Sequence, residues 1–285
     1  MQTAGEELTF PIEFASLRDP RRGNEPVVNG EWVRTTNRAL RPETGKAHTL
    51  GAVWEPEAVQ GLRMGVTAWQ VRIDGLIGLL PSQTILDNET LFPGWVVREP
   101  TVNGVPGRVT RLSWAESNFG FVETRGYDLE VSKQGRAALG RWTLNASATR
   151  TTDYAVAISP GSPTVDRLGR RFSDYWAPEW KARLGASMDA GAWSVGLSSR
   201  YLGAYKDAGA SQRTLGGTWV HDLSGSVNLV RLGMGPGRVR AATLSVAIVN
   251  IADRLPQFAD SLPYFDTSQG DWRGRHASLR LSVDW

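Results

Sequence analysis

The side chains this chain possesses narrow its chemistry sharply. It has no cysteine, which excludes thiolate nucleophiles, thiolate metal sites and disulfides. Its three histidines, His48, His221 and His276, each lack a second ligand at metal spacing, so no zinc-type centre is expected. Asp128 with Glu130, and Asp74 with Glu89, have the residue types of a glycosidase acid and base. Same-face carboxylates on a strand are ordinary neighbours, however, and nothing marks one member as acid and the other as base. Gly-Met-Gly-Pro-Gly at 233 to 237 has the glycine density of a phosphate loop, yet no Lys-Ser/Thr pair follows, and a hairpin turn accounts for it. Gly94-Trp95-Val96 carries no nucleophile. The expectation is a protein that is not an enzyme and holds no cofactor.

With 285 residues, 41% of them hydrophobic and 21% charged, the chain can form one large domain or two ordinary ones and is not of disordered composition. The 32 basic and 29 acidic residues leave a net charge of +3 and are interspersed. Arg22, Arg41, Arg111, Arg170, Arg171 and Arg231 scatter near expected turns and do not cluster, which excludes a nucleic-acid footprint. Met1 to Phe10 carries Glu6 and Glu7 and no apolar stretch of the kind a secretory signal needs, so no signal peptide is expected in this chain. The most apolar run, Leu76-Ile77-Gly78-Leu79-Leu80, falls far short of the roughly 20 residues of a membrane-spanning helix. A helical membrane protein is therefore excluded.

The elements that carry these residues alternate with period two. In the last segment Ala277, Leu279, Leu281, Val283 and Trp285 share one face, while His276, Ser278, Arg280, Ser282 and Asp284 share the other. The same pattern recurs in Val239 to Ile251, His221 to Leu229, Trp193 to Tyr201, Trp180 to Met188, Trp142 to Thr149, Tyr127 to Ser132 and Leu62 to Thr67. Less regular runs lie near Lys46 to Glu55 and Arg108 to Ala115, for about ten strands in all. Arg63, Arg183, Arg200 and Arg280 all fall on the phase opposite the apolar residues.

Many of these strands reach about ten residues, where globular strands average about five or six. Short glycine-bearing links (Asp189 to Gly191, Leu232 to Gly237) alternate with long ones (Asp153 to Ala177, Ala204 to Gly217, Ala252 to Gly274), as in outer-membrane barrels with short periplasmic turns and long outer loops. Carried upstream, that parity fails across Leu76 to Gly107 unless one more strand is hidden there. Phe92 to Pro100, turning at Asn103-Gly104, is the candidate. Of the twelve tryptophans, Trp142, Trp180, Trp193, Trp219 and Trp285 lie at or near strand ends, where an interfacial girdle belongs and where a large sandwich core would also use them.

The order of several segments resembles TonB-dependent outer-membrane receptors. Asn37-Arg38-Ala39-Leu40-Arg41-Pro42-Glu43 with Leu50-Gly51-Ala52-Val53-Trp54-Glu55-Pro56 is similar to a pattern inside their barrel. Phe92 to Arg98 and Glu123 to Asp128 are similar to mid-barrel segments. Val246 to Asp253 looks like the penultimate strand, with Ala252 where an aromatic is more usual, and Trp285 replaces the usual closing Phe.

The resemblance implies an all-β fold: an antiparallel transmembrane β-barrel of which this chain holds the C-terminal part, about ten of roughly 22 strands. Residues 1–36 are expected to be an outer loop or residual barrel segment and residues 37–285 the barrel portion, with plug and signal peptide absent, as in a gene fragment or split reading frame. The implied function is import of a scarce solute such as an iron chelate, cobalamin or a saccharide, not performed by this chain alone. The implied partners are outer-membrane lipid, the barrel-assembly machinery reading Leu279, Leu281, Val283 and Trp285, the remainder of the receptor, and TonB through that remainder only. Ligand contacts are expected from the outer-loop aromatics Tyr154, Trp176, Tyr205, Phe258, Tyr264, Phe265 and Trp272, which equally suit packing of loop on loop. A soluble β-sandwich binding module and a complete small barrel of eight to ten strands are the alternatives.

Overall fold

A computed structural model describes residues 8–12, 17–118, 120–171, 175–208, 212–234, 239–260, 264–266 and 271–285. Nine long strands dominate it. They are β1 (Thr44–Trp54), β2 (Leu62–Asp74), β3 (Phe121–Ala137), β4 (Gly140–Ala157), β5 (Trp180–Asp189), β6 (Trp193–Leu202), β7 (Thr218–Asn228), β8 (Ala241–Val249) and β9 (His276–Asp284). They lie in one sheet in the order β9-β8-β7-β6-β5-β4-β3-β2-β1, and the short strand Val165–Asp166, paired with β4, makes the tenth. The pairs from β4 to β9 are antiparallel and in continuous register.

That register sorts most of the alternating residues across six strands; Ser199 and His221, in the row of Leu184 on the apolar face, and Val220, opposite Arg200 on the polar face, depart from it. One row runs Trp142, Met188, Val195, Gly225, Val246, Leu279, and the next runs Thr143, Ser187, Gly196, Ser224, Ala247, Ser278. A soluble sandwich would bury the apolar rows beneath a second sheet. Here they are the open side: Leu144 is 50% exposed, Leu184 45%, Leu279 71% and Leu281 60%. Among the described residues no second sheet covers this apolar surface, which argues against the sandwich. The closed small barrel would need β1 bonded to β9, a pair the sheet order does not contain.

The parity problem is resolved by removing a strand. Residues 109–114, counted from sequence as a spanning strand, do form a strand, but in a different sheet. Phe92 to Pro100 contributes only Val96–Arg98, also to that other sheet. The predicted turn is real: Asn103 and Gly104 both have positive φ, and Val102 and Val105 bridge across them. Everything from 75 to 120 is thus one long connection between β2 and β3. It leaves the same strand ends as 158–179, 203–217 and 250–275, while 55–61, 138–139, 190–192 and 229–240 join the opposite ends.

The chain divides into two compact units, Met1–Lys46 with Arg72–Glu123 and Val156–Val165, and Ala47–Val71 with Thr124–Ala155 and Asp166–Trp285. The first holds a four-stranded sheet ordered Leu8–Pro11, Glu31–Arg34, Val109–Trp114, Val96–Arg98. Its middle pair is parallel, which the intervening chain makes possible. The helix α1 (Ser82–Asp87) lies between these segments in sequence, and Ile12, Val33, Leu80, Ile85, Leu86 and Leu112 are fully buried. One ion-pair network joins distant parts of the unit. Arg98 reaches Asp19 at 2.6 Å and Glu89 at 2.9 Å, and donates to the Gly107 carbonyl at 3.1 Å. Burial alone would push the Asp19 carboxyl up, but hydrogen bonds from Arg98 and from the Arg21 N–H, with the charges of Arg98 and Arg22, hold it below its ordinary value.

Candidate functional site

The polar face of the sheet carries the candidate site, because strand alternation projects its charged side chains there and the register sets them side by side. Thr149 lies opposite Lys181, Ser147 opposite Arg183, and Arg183 opposite Arg200. Two arginines directly across a strand pair repel each other. Asp222, next in line opposite Ser198, meets Arg200 at 3.1 Å and also accepts from the Asn250 N–H at 2.9 Å. Toward the long-connection end, Lys181, Arg183, Arg200 and His276 border a cavity of about 1090 Å³ together with Trp272 and Arg273. Arg273 hydrogen-bonds Asp271 through both its backbone N–H and its guanidinium, which lowers the Asp271 carboxyl to about 2. Hydroxyls and an amide (Ser147, Thr149, Asn250) complete a wall that offers cations and neutral donors to an anionic or hydroxyl-rich molecule.

Of the seven aromatics expected to contact ligand, Trp272 alone lines this cavity. It is 66% exposed. Trp176 and Tyr205 stack with ring centroids 4.6 Å apart, and Tyr205 is buried against Leu215 and Ala259. Burial and donation of its hydroxyl to Asp266 raise the Tyr205 phenol far above its ordinary range. These two rings fasten loop to loop. Phe258 and Tyr264 form an exposed, nearly parallel pair 6.1 Å apart, with Arg213 over the Phe258 ring at 5.5 Å, and Phe258 bridges to Phe265. Tyr154 sits within β4. The sequence reading did not single out Lys181, Arg183, Arg200, Arg273 and His276 as a group. The available signal was their shared polar phase on strands joined by short turns.

The terminal residues Leu279, Leu281, Val283 and Trp285 share the apolar face and are all exposed. The girdle tryptophans fall into two levels on that face: Trp142, Trp193 and Trp285 near the short-turn ends, Trp180 and Trp219 near the others. Trp193 and Tyr201 lie eight residues apart on β6, about 26 Å along the strand, or about 20 Å of height at a tilt of roughly 40°. That is close to the apolar band of an outer-membrane barrel.

The other chemical candidates are accounted for as structure. The Nδ1 of His221 contacts Ser199 Oγ at 2.8 Å, Asp128 accepts from Thr149 Oγ1 at 2.6 Å, Asp74 is paired with Arg72, and Glu89 with Arg98. Among the described residues no group of three His, Asp or Glu could hold a metal, and no helix is long and apolar enough to cross a membrane, which leaves a β-barrel untouched. Residues 235–238 of the glycine-rich segment lie outside the described residues.

Comparison with known proteins agrees with this geometry. The chain is similar to the siderophore receptor PirA of Acinetobacter baumannii at 14% identity and a TM-score of 0.54, over 98% of this chain and 36% of that one. It is similar to a mutant of the ferric enterobactin receptor of Pseudomonas aeruginosa at 12% identity and a TM-score of 0.53, over 96% of this chain and 34% of that one. At these identities the likeness is one of fold, and the chain spans about a third of the length of the solved structures it matches. No curated protein matches it. Residues 8–251 match the family described as TonB dependent receptor-like, beta-barrel, and the chain belongs to that family of outer-membrane receptors.

Proposed function

We propose that this chain supplies the wall of an outer-membrane receptor barrel that imports an anionic metal chelate. The observation that carries the reading is the cationic row Lys181, Arg183 and Arg200 on the cavity, which favours an anionic chelate over neutral cobalamin or a saccharide. Import by such receptors draws on TonB and a plug domain, and this chain takes part through the remainder of the receptor. In this reading the long connections face outward and the short turns face the periplasm. Residues 1–36 belong to the outer-loop region and residues 37–285 to the barrel. Trp272, with the Phe258 and Tyr264 pair, provides outer contacts for the ligand. Leu279, Leu281, Val283 and Trp285 present the strand that the assembly machinery reads, with outer-membrane lipid against the same face.

The test is equilibrium binding of radioiron-loaded enterobactin to the full chain in detergent micelles, against a neutral ferric hydroxamate of similar size. The anionic chelate is expected to bind at least tenfold more tightly, and Lys181→Gln with Arg183→Gln is expected to abolish the preference. Equal affinity for both chelates, or a preference unchanged in the double variant, overturns the proposal.

A further inference from the structure

The apolar face is not apolar to its edge. Near the strand ends that the long connections leave, a groove of about 280 Å³ crosses β1, β2 and β3, lined in part by His48, Leu50, Ala68, Arg125 and Tyr127. Their face follows from their neighbours. Asp128 accepts from Thr149, which stands opposite Lys181 on the polar face, so Tyr127 and Arg125 point the other way. A Cβ on Gly126 would strike the Trp69 ring, which places Trp69 on the polar face and Ala68 with Tyr127. A Cβ on Gly51 would likewise meet the Thr67 hydroxyl, which leaves His48 and Leu50 on the apolar side.

The groove is ordered along the strands. His48 and Arg125 stand one step nearer the long connections, and Leu50, Ala68 and Tyr127 one step nearer the middle of the sheet. Ala68 between Leu50 and Tyr127 makes the floor low, since both flanking side chains stand taller and are exposed. Arg150, one strand along on the same face, lies over the Trp180 ring at 5.4 Å. An arginine on this phase is unfavourable by roughly 2 to 4 kcal/mol at the bilayer midplane but by at most about 1 near the interface. Asp153 partners Arg125 at 3.4 Å, with both side chains half exposed, and Arg150 is a second cation on this face. At 280 Å³ the groove is below the roughly 300 to 1,000 Å³ of a drug-sized site. It offers room for a length of acyl chain beneath a charged head.

We propose that this groove on β1, β2 and β3 binds one lipid whose phosphate-bearing head lies against Arg125 and His48 and whose acyl chain lies over Ala68, between Leu50 and Tyr127. The site is separate from the cavity on the polar face and would dock the barrel to anionic lipid on one side. It rests on the lipid-facing assignment of the apolar face, and not on the identity of the imported solute.

The test uses the full chain in mixed micelles, with native mass spectrometry counting retained phosphatidylglycerol and phosphatidylcholine of identical acyl chains. Phosphatidylglycerol is expected to be retained about fivefold better, the factor for one cation at an anionic head. Arg125→Gln should reduce phosphatidylglycerol to the phosphatidylcholine level, Ala68→Trp should lower both lipids by filling the floor, and Arg280→Gln on the polar face should change neither. Excess inorganic phosphate should not displace the lipid. Equal retention of the two lipids by the unaltered chain, unchanged retention in both groove variants, or displacement by phosphate overturns the site. Vesicle partitioning separates the two levels of the argument. A chain that stays in water overturns the lipid-facing assignment as well, whereas one that partitions without lipid preference overturns only the groove.

Discussion

The two units bury their apolar residues by opposite means. In the first, strands of three to six residues and a six-residue helix surround Ile12, Val33, Ile85 and Leu112, none of them more than 1% exposed. That is a core of the kind water imposes. In the second, strands of about ten residues hold Leu184, Leu197 and Leu281 in the open. The same residue types are used in both. What separates them is the strand length available and the solvent waiting outside, so hydrophobic content by itself does not tell a core from a lipid face.

The sharpest way to break the contrast is to remove an interaction that only a protein interior needs. Arg98→Ala leaves the buried Asp19 without the cation that pairs with it and leaves Glu89 with Arg21 alone, and breaking such a buried pair costs about 3 to 5 kcal/mol. Hydrogen exchange should then rise across residues 82–112 while the amides of β5 to β9 keep their protection. Equal loss in both regions would mean that the two are not energetically distinct.

A smaller effect is expected from the other side of the comparison. Leu281→Arg places a charge midway along the apolar face of β9 and should destabilise the chain in lipid vesicles by about 2 to 4 kcal/mol. Ser282→Arg, one residue on and facing the polar side, should change urea unfolding by less than about 1 kcal/mol. If the two variants behave alike, the faces do not meet different solvents.

Acid should act least, and in the first unit it should act through Asp19. Because the Asp19 carboxyl is lowered in the folded chain, it contributes stability above the unfolded value of about 3.9. That stability is lost as pH falls through the lower folded value. Intrinsic fluorescence of a single-tryptophan variant retaining Trp114 should report loosening of this unit on acidification from pH 5, and a signal flat down to pH 2 would remove Asp19 from the account.

Alternation made β4 to β9 legible because one residue of slip would invert every face, and no such slip occurs between the expected and observed phases. Val109–Trp114 was misplaced because six alternating residues look alike in a spanning strand and in a small soluble sheet. Its partner Glu31–Arg34 lies far away in sequence, where periodicity carries no signal. The cavity wall was half visible: the phase of Lys181, Arg183 and Arg200 could be read, but their adjacency depends on register set by turns. The loop aromatics were the least legible. Whether Tyr205 meets ligand or Asp266 is decided by packing between connections separated by some sixty residues.

The surplus length of β4 has one more consequence. The strand runs for 18 residues, and Trp142 marks its inner level. A spanning strand uses about 9 to 11 residues, so roughly the last five, or about 16 Å of rigid ladder, stand clear of the hydrocarbon. In the proposed orientation, a phage tail or antibody arriving from the medium touches polypeptide before it touches lipid.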